Sequence, residues 1–268
     1  MRRFLREGDP RGSVSPMGTE VSGGISSIAR AVSLLSAFQS RDRELSAAEL
    51  ARRCGLPRST AYRMAGELAQ LGALEQTPHG QFRLGMRLFE LGQLALYQRG
   101  LRESASSFLA DLAAATRQTA HLAILDNHEL VYLDIIRPSP APRLRSRVGG
   151  RLPPTVTGVG KAILAFSPPE VVDGVIARGL PRMTTNSITD EGRLRAELAK
   201  IRRTGIAFDH QEHAVGTSCC AAPIFGMNQK IVGAVSVSGH TSSIRLDLVA
   251  AAVQSTAAGI SRVQGARV

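Results

Sequence analysis

The sequence predicts an α+β fold in two domains, and three observations carry that prediction. Two capped helices separated by a glycine turn lie near the front, with a hairpin-like pair of strands behind them. A leucine-spaced helix follows. Beyond residue 101, strand-like apolar runs alternate with helix-period segments. With 268 residues, 43% of them hydrophobic, the chain can bury two modest cores.

The elements follow in order. Residues 1–24 mix Arg, Gly, Pro and Ser without periodicity and read as a disordered leader, either a plain tail or a basic arm touching phosphates. Ile28, Val32, Leu35 and Phe38 recur at three- and four-residue steps, which predicts a helix over 25–39. Ser46 and Glu49 form an S-x-x-E capping box, starting a helix over 47–54. Gly55 permits a tight turn, Pro57 fixes φ at a first helical position, and the next helix runs to about Gln70. Runs at 73–77 and 81–84 flank Pro78-His79-Gly80, a turn between two short strands. These elements predict a winged helix-turn-helix over 25–86.

Leu88, Leu91 and Leu94 share one face of a linker or dimer helix over 87–100, and a domain boundary is expected near 98–102. The second domain, 101–265, opens with a helix carrying Leu109, Leu112 and Ala113. Strands are expected at 120–125, 130–136, 143–148, 206–209, 219–225 and 231–238, with helices near 158–166, 169–178, 190–203 and 244–263. The mixture predicts an antiparallel sheet packed by helices.

A net charge of +11 suits a polyanionic partner, although the basic excess is spread over both halves. The helix from Pro57 carries Arg58, Ser59, Thr60, Tyr62 and Arg63 near its amino end, the end such a motif inserts into the major groove. Arginine can bridge guanine O6 and N7, while hydroxyls more often position the protein on phosphates, so Arg58 and Arg63 are the candidate base readers. Arg52 and Arg53 close the preceding helix, where a cation suits either a phosphate or the helix dipole. His79, Gln81 and Arg83 on the wing reach the backbone or minor groove, or form a solvated hairpin.

These residues and the blocks behind them resemble the IclR family of bacterial regulators. The front block is ELSAAELARRCGLPRSTAYRMAGELAQLGALEQ. The later blocks are LRSRVGGRLPPTVTGVGKAILA, SITDEGRLRAELAKIRRTGIAFDHQEHAVGTSCCAAPIF and GAVSVSG. The resemblance covers about residues 25–264. It implies a winged helix-turn-helix followed by a GAF-like α/β effector-binding domain, assembled as a homodimer or dimer of dimers on double-stranded DNA with a palindromic or repeated operator. It further implies a small organic acid as effector.

By matching positions, the resemblance implies that Gly158 and Val159 bind a carboxylate through backbone N–H groups, which accords with a helix N-terminus and close backbone approach. It places Asp209 and Cys219 among the pocket's polar groups, Ser236 and Ser238 as a strand pair facing one ligand, and Leu144 and Thr217 on the lining. Each also has a structural reading: Cys219 as a small core residue, the two serines as solvent-facing, and Asp209 as a turn cap. Two positions depart from the family pattern. Thr155 stands where many relatives carry His, and His210-Gln211 replaces an acidic pair, which points to a bulkier or aromatic acid as effector.

Two rival chemistries remain on the sequence. Asp209, His213 and Cys219 can be drawn as a cysteine-nucleophile enzyme, although the apolar run around Cys219 argues for an inert thiol. His210, His213 and His240 can be drawn as a metal site, on weak spacing. Gly158 to Lys161 lacks the full phosphate-loop spacing. The expectation is therefore a regulator and no enzyme, with no cofactor and no metal. Cys54, Cys219 and Cys220 have no ligand spacing, and no stretch approaches the roughly 18 apolar residues of a membrane span. Without a signal-peptide pattern at the start, the expected location is the cytoplasm.

Overall fold

A computed structural model describes residues 26–39, 41–94, 96–139, 144 and 146–266. The expected leader lies outside these. The described chain divides into two compact units meeting at Leu94 and Ala95, and each is treated by itself.

The first unit opens with α1 (Ser27–Ser36), whose cap Ser26 Oγ accepts from Ala29 N at 3.1 Å. It is shorter than expected, and the predicted stripe does not all face inward. Leu34 is buried, whereas Ile28 and Val32 are 75% and 57% exposed. In α2 (Ala47–Cys54), Ser46 Oγ accepts from Glu49 N at 3.2 Å, contributing about 1 kcal/mol. The return half of the capping box is replaced, because the Glu49 carboxylate is held by Arg52 and Arg53. Gly55 ends α2 with φ 64°, a left-handed conformation costly for other residues. Pro57 is the N-cap of α3 (Arg58–Gln70) instead of its first residue. Strands β1 (Leu74–Gln76) and β2 (Phe82–Leu84) pair antiparallel, and Leu45 exchanges two backbone hydrogen bonds with Phe82 on the free edge. Phe82, Leu74, Leu34, Leu50 and Met64 meet in one core. The unit ends with α4 (Met86–Gln93).

The second unit begins with α5 (Leu96–Thr116). Gly100 therefore lies inside a helix whose buried stripe, Leu101, Ala105, Leu109 and Leu112, continues past it. Six strands follow: β3 (Thr119–Asp126), β4 (Glu129–Ile136), β5 (Arg151–Leu152), β6 (Ala207–His210), β7 (Thr217–Phe225) and β8 (Ile231–His240). Their order is β5-β4-β3-β8-β7-β6, antiparallel at every pairing. The strand expected over 143–148 is a correction. Leu144, Ser146 and Arg147 are coil, and the chain reaches the β4 edge only after a turn at Val148-Gly149 whose Gly149 N donates to Tyr132 O.

The sheet buries both faces. On one, Leu122, Cys220, Val235 and Val237 pack with α5 and α9 (Leu246–Val263). On the other, Ala123, Ala221 and Ala234 pack with α6 (Gly158–Ala165), α7 (Pro169–Ala177) and α8 (Glu191–Thr204). Strand alternation decides which residue meets which layer.

Candidate nucleic-acid interface and ligand site

The turn at Gly55 presents the start of α3 to solvent. Arg58 and Ser59 are exposed, Thr60 is half-buried, and Arg58 has no acidic partner among the described residues. Arg58 and Arg52 line one surface groove with Ser46 and Leu56. Tyr62, 57% exposed, rests edge-on against Phe82 at 6.3 Å, coupling α3 to the wing. Arg63 is exposed but paired with Glu67 at 2.6 Å. On the wing His79 is exposed and Gln81 half-buried, while Arg83 pairs across the strands with Glu75 at 2.6 Å.

Arg53 departs from the phosphate-binding expectation. Its guanidinium is drawn inward by Asp42, Glu49 and the Ala37 carbonyl. The Arg53 bond holds the Asp42 carboxyl below its usual range. Arg52 stays on the surface and, with Arg53, brings the Glu49 carboxyl down to about 2.

In the second unit, register assembles a polar end on the sheet face beneath α6. Asp209 pairs with Cys219, Cys219 with Ser238, and Ser238 with Thr119, one row across four strands. Two residues along, Ala221 pairs with Ser236 and Ser236 with His121. Ser236 and Ser238 are buried, so the solvent-facing reading does not apply to them. Thr217 shares the Cys219 face at period two. Leu144 is half-buried in a coil segment whose neighbours lie outside the described residues.

The α6 N-terminus stands over the same end. Thr157 Oγ1 caps Gly160 N at 3.1 Å and Thr157 O receives Lys161 N at 3.0 Å. Among the described residues no hydrogen bond takes the N–H of Gly158 or Val159, the open amides of a helix start. A Cβ on Gly158 would lie 2.9 Å from Cys219 Sγ and 3.4 Å from Ala221 Cβ, so only glycine lets the helix start lie this close to β7.

Burial sets the protonation here. Asp209 is pushed up to about 7, chiefly by desolvation, while the backbone N–H of Glu212 donates to its Oδ1 at 2.6 Å. Burial and then the Asp209 charge push the Cys219 thiol up to about 11, so it carries no thiolate at neutral pH and the nucleophile reading loses its chemistry. Among the described residues no cluster of three His, Cys, Asp or Glu could hold a metal. His210 stacks on Phe208 at 5.8 Å, and His240 Nδ1 bonds Ser242 Oγ at 2.9 Å.

Sequence reasoning missed Lys161, Thr119 and His121, and noted Thr155 only as a departure from the family pattern. Lys161 is fully buried, with its ammonium 2.5 Å from Glu212 Oε1 and 3.8 Å from Glu197. Thr119 and His121 are buried on the polar rows with unpartnered Oγ1 and Nδ1 atoms, and Thr155 before α6 is likewise buried with Oγ1 unpartnered. Alternation around the recognised Ser236 and Ser238 signals two facing side chains, but β3 register is needed to name them. A surface depression lined by Lys161, Arg193, Glu197, Lys200, His210 and Glu212 adjoins this region. Its two carboxylates, Glu197 and Glu212, both pair with Lys161.

A family model described as IclR helix-turn-helix domain matches residues 27–78, and one described as bacterial transcriptional regulator IclR C-terminal matches residues 93–262. The chain belongs to the IclR family. It is 32% identical to the transcriptional repressor IclR of Escherichia coli over 231 residues, 85% of this chain and 84% of that protein. It is 31% identical to the regulator XynR of the same organism over 222 residues, 82% and 88% respectively. A crystal structure of an IclR homologue complexed with 4-hydroxybenzoate, from Microbacterium hydrocarbonoxydans, superposes with a TM-score of 0.83 at 29% identity, covering 90% of this chain and all of that one. The Thermotoga maritima IclR structure gives 0.75 at 29%, over 89% and 98%. IclR-family proteins are DNA-binding transcriptional regulators with a carboxy-terminal ligand-binding domain, and not enzymes. Among the described residues no helix is long and apolar enough to cross a membrane.

Proposed function

We propose that this IclR-family regulator binds a specific operator through α3 and the wing, and that a small carboxylic acid held at the α6 N-terminus controls that binding. The observation that carries the reading is the unspent Gly158 and Val159 amides above the buried row of Asp209, Cys219 and Ser238, with Ser236 in the next row. An amide pair at a helix start favours an anion, and buried hydroxyls without full partners favour a ligand that completes them. An aromatic acid is the favoured effector. A homologue is known in complex with 4-hydroxybenzoate, and Thr155 leaves a smaller side chain than the His of many relatives.

The protein acts as a homo-oligomer, dimer or dimer of dimers, in which effector binding shifts the balance between arrangements that fit two half-sites and those that do not. Exposed apolar side chains on α1 and α4, including Ile28, Val32, Phe89 and Leu91, with Leu94 just after α4, support self-association of the first unit.

Fragments of the source genome retained by the protein supply the operator, and mobility shift and calorimetry then separate the two activities. Arg58→Ala is expected to weaken operator binding by roughly 10- to 100-fold and leave acid binding intact. Ser236→Ala is expected to weaken acid binding and leave DNA binding intact. Reversed outcomes overturn the assignment.

A further inference from the structure

The α6 terminus accounts for one end of a ligand, and the sheet beneath it has a second polar end with its own chemistry. Ser236 lies between Ala221 and His121 in the β7-β8-β3 register. Ala221 is directly under Gly158. Two strand spacings, about 10 Å, therefore separate the carboxylate subsite from His121. At that far end His121 Nδ1 is buried without a partner among the described residues, and Ser236 Oγ, one strand nearer and beside the Cys219 thiol, has no other partner there. His121 is only 2% exposed, its ring lies 5.1 Å from that of Tyr132, and its Nε2 shares a 2.9 Å hydrogen bond with Ser146 Oγ. An imidazole fixed on one nitrogen, with the other buried and open, is arranged to receive a ligand atom.

The charges around the ring decide which kind of atom. Desolvation first, and then the Arg137 charge, push His121 down to about 3, so the ring is neutral. The Arg137 guanidinium itself is exposed and occupied with the Ser146 carbonyl, with Ser146 Oγ 3.4 Å away. Tyr132 is buried with its phenol pKa raised, so it stays un-ionised. Among the described residues only Arg137 brings a cation near the ring, and it is engaged with Ser146, so a carboxylate buried against His121 would carry a large desolvation cost. A hydroxyl both donates and accepts, so it can bond Nδ1 in either tautomer and still reach Ser236 Oγ.

We propose that His121, with Ser236 beside it, is a specificity-determining residue that receives a neutral hydroxyl at the far end of a monocarboxylic acid and rejects a second carboxylate there. This rests on the reading of Gly158 and Val159 as the carboxylate subsite. A two-carbon acid is too short to reach both ends.

The test is calorimetry of the full-length protein with benzoate, 4-hydroxybenzoate and terephthalate. The wild type is expected to bind 4-hydroxybenzoate about tenfold more tightly than benzoate, the effect of one buried hydrogen bond, and terephthalate more weakly than either. His121→Phe is expected to remove the preference for the hydroxylated acid, read as the ratio of the two affinities, and His121→Asn, which keeps a donor and an acceptor, to restore part of it. The wild-type series needs no variant to fold. Equal binding of benzoate and 4-hydroxybenzoate, tight binding of terephthalate, or a preference that survives in His121→Phe overturns the proposal and leaves the carboxylate subsite standing. Binding of none of the three acids by the wild type overturns that subsite's aromatic-acid reading and the proposal with it.

Discussion

The two units prepare for their ligands in opposite ways. The winged helix keeps its candidate contacts in water: Arg58 is exposed with no acidic partner among the described residues, and Arg63 and Arg83 hold only exposed carboxylates that phosphates can replace. The sheet domain buries its candidate contacts, leaving Thr119, His121 and Thr155 with atoms unpartnered among the described residues. The difference follows from the ligands. DNA brings its own charge and counterions, so a solvated cation gains affinity by releasing them, in a salt-dependent way. A small acid has few atoms with which to bind, and gains most where polar groups are already dehydrated and fixed. Arg53 marks the boundary within the first unit, since the same residue type four positions before Pro57 is committed to holding α2 against Asp42.

The largest effect should come from breaking the charge balance that the buried domain depends on. Lys161 has no exposed surface and pairs with Glu212, whose Oε2 is otherwise unpartnered. Removing one partner of a buried pair strands the other, so Lys161→Ala should destabilise the domain by about 3–5 kcal/mol. In a domain of this size that lowers Tm by about 10 °C, measurable by calorimetry. The double variant Lys161→Met with Glu212→Leu should recover most of the loss. A Tm within a degree or two of wild type for Lys161→Ala would place the pair in effective contact with water and erase the contrast with the first unit.

An intermediate effect is expected from pH. Folding raises Asp209 from 3.8 to about 7, so its contribution to stability is fully present below about pH 4 and lost as pH rises towards 7. The ligand feels the same titration. Below 7 the neutral carboxyl can donate to a bound carboxylate, and above it an anion repels one, while Glu212 and Lys161 face it with opposed charges. Acid affinity should therefore fall up to about tenfold between pH 6 and 8, by proton linkage. Asp209→Asn should flatten the profile. Affinity that rises with pH, or an Asn variant with the wild-type slope, would remove Asp209 from the site.

How much of this was legible follows from the range of each interaction. Ser46, Gly55, Pro57 and the 77–81 turn act within a few residues, and the winged helix is accordingly readable along the chain. Period-two spacing was enough to predict that Ser236 and Ser238 share a face. Three features were not readable. The half-formed capping box depends on Arg52 and Arg53 competing for Glu49. The coil at Leu144 and over 146–147, where a strand is expected, depends on where the chain meets the β4 edge. The pairing of Lys161 with Glu212, and of His121 with Ser236, spans 51 residues and more than a hundred, and is set by sheet register that no local pattern encodes.

The smallest expected effect tests whether Arg63 belongs with the exposed contacts or only with its own helix. Arg63 and Glu67 are four residues apart on α3, with side chains 67% and 55% exposed. Such a pair contributes about 0.3–0.5 kcal/mol, so Glu67→Gln should leave Tm nearly unchanged. Its effect on DNA should be visible nonetheless. Removing the carboxylate frees the guanidinium and takes a negative charge away from the phosphates, so operator affinity should rise roughly two- to fivefold at low salt and converge on wild type as salt is raised. Titrations at two salt concentrations measure both terms. An affinity that rises and converges places Arg63 beside Arg58 among the groups that reach DNA; an affinity that stays the same at both concentrations assigns it to the surface of α3 alone.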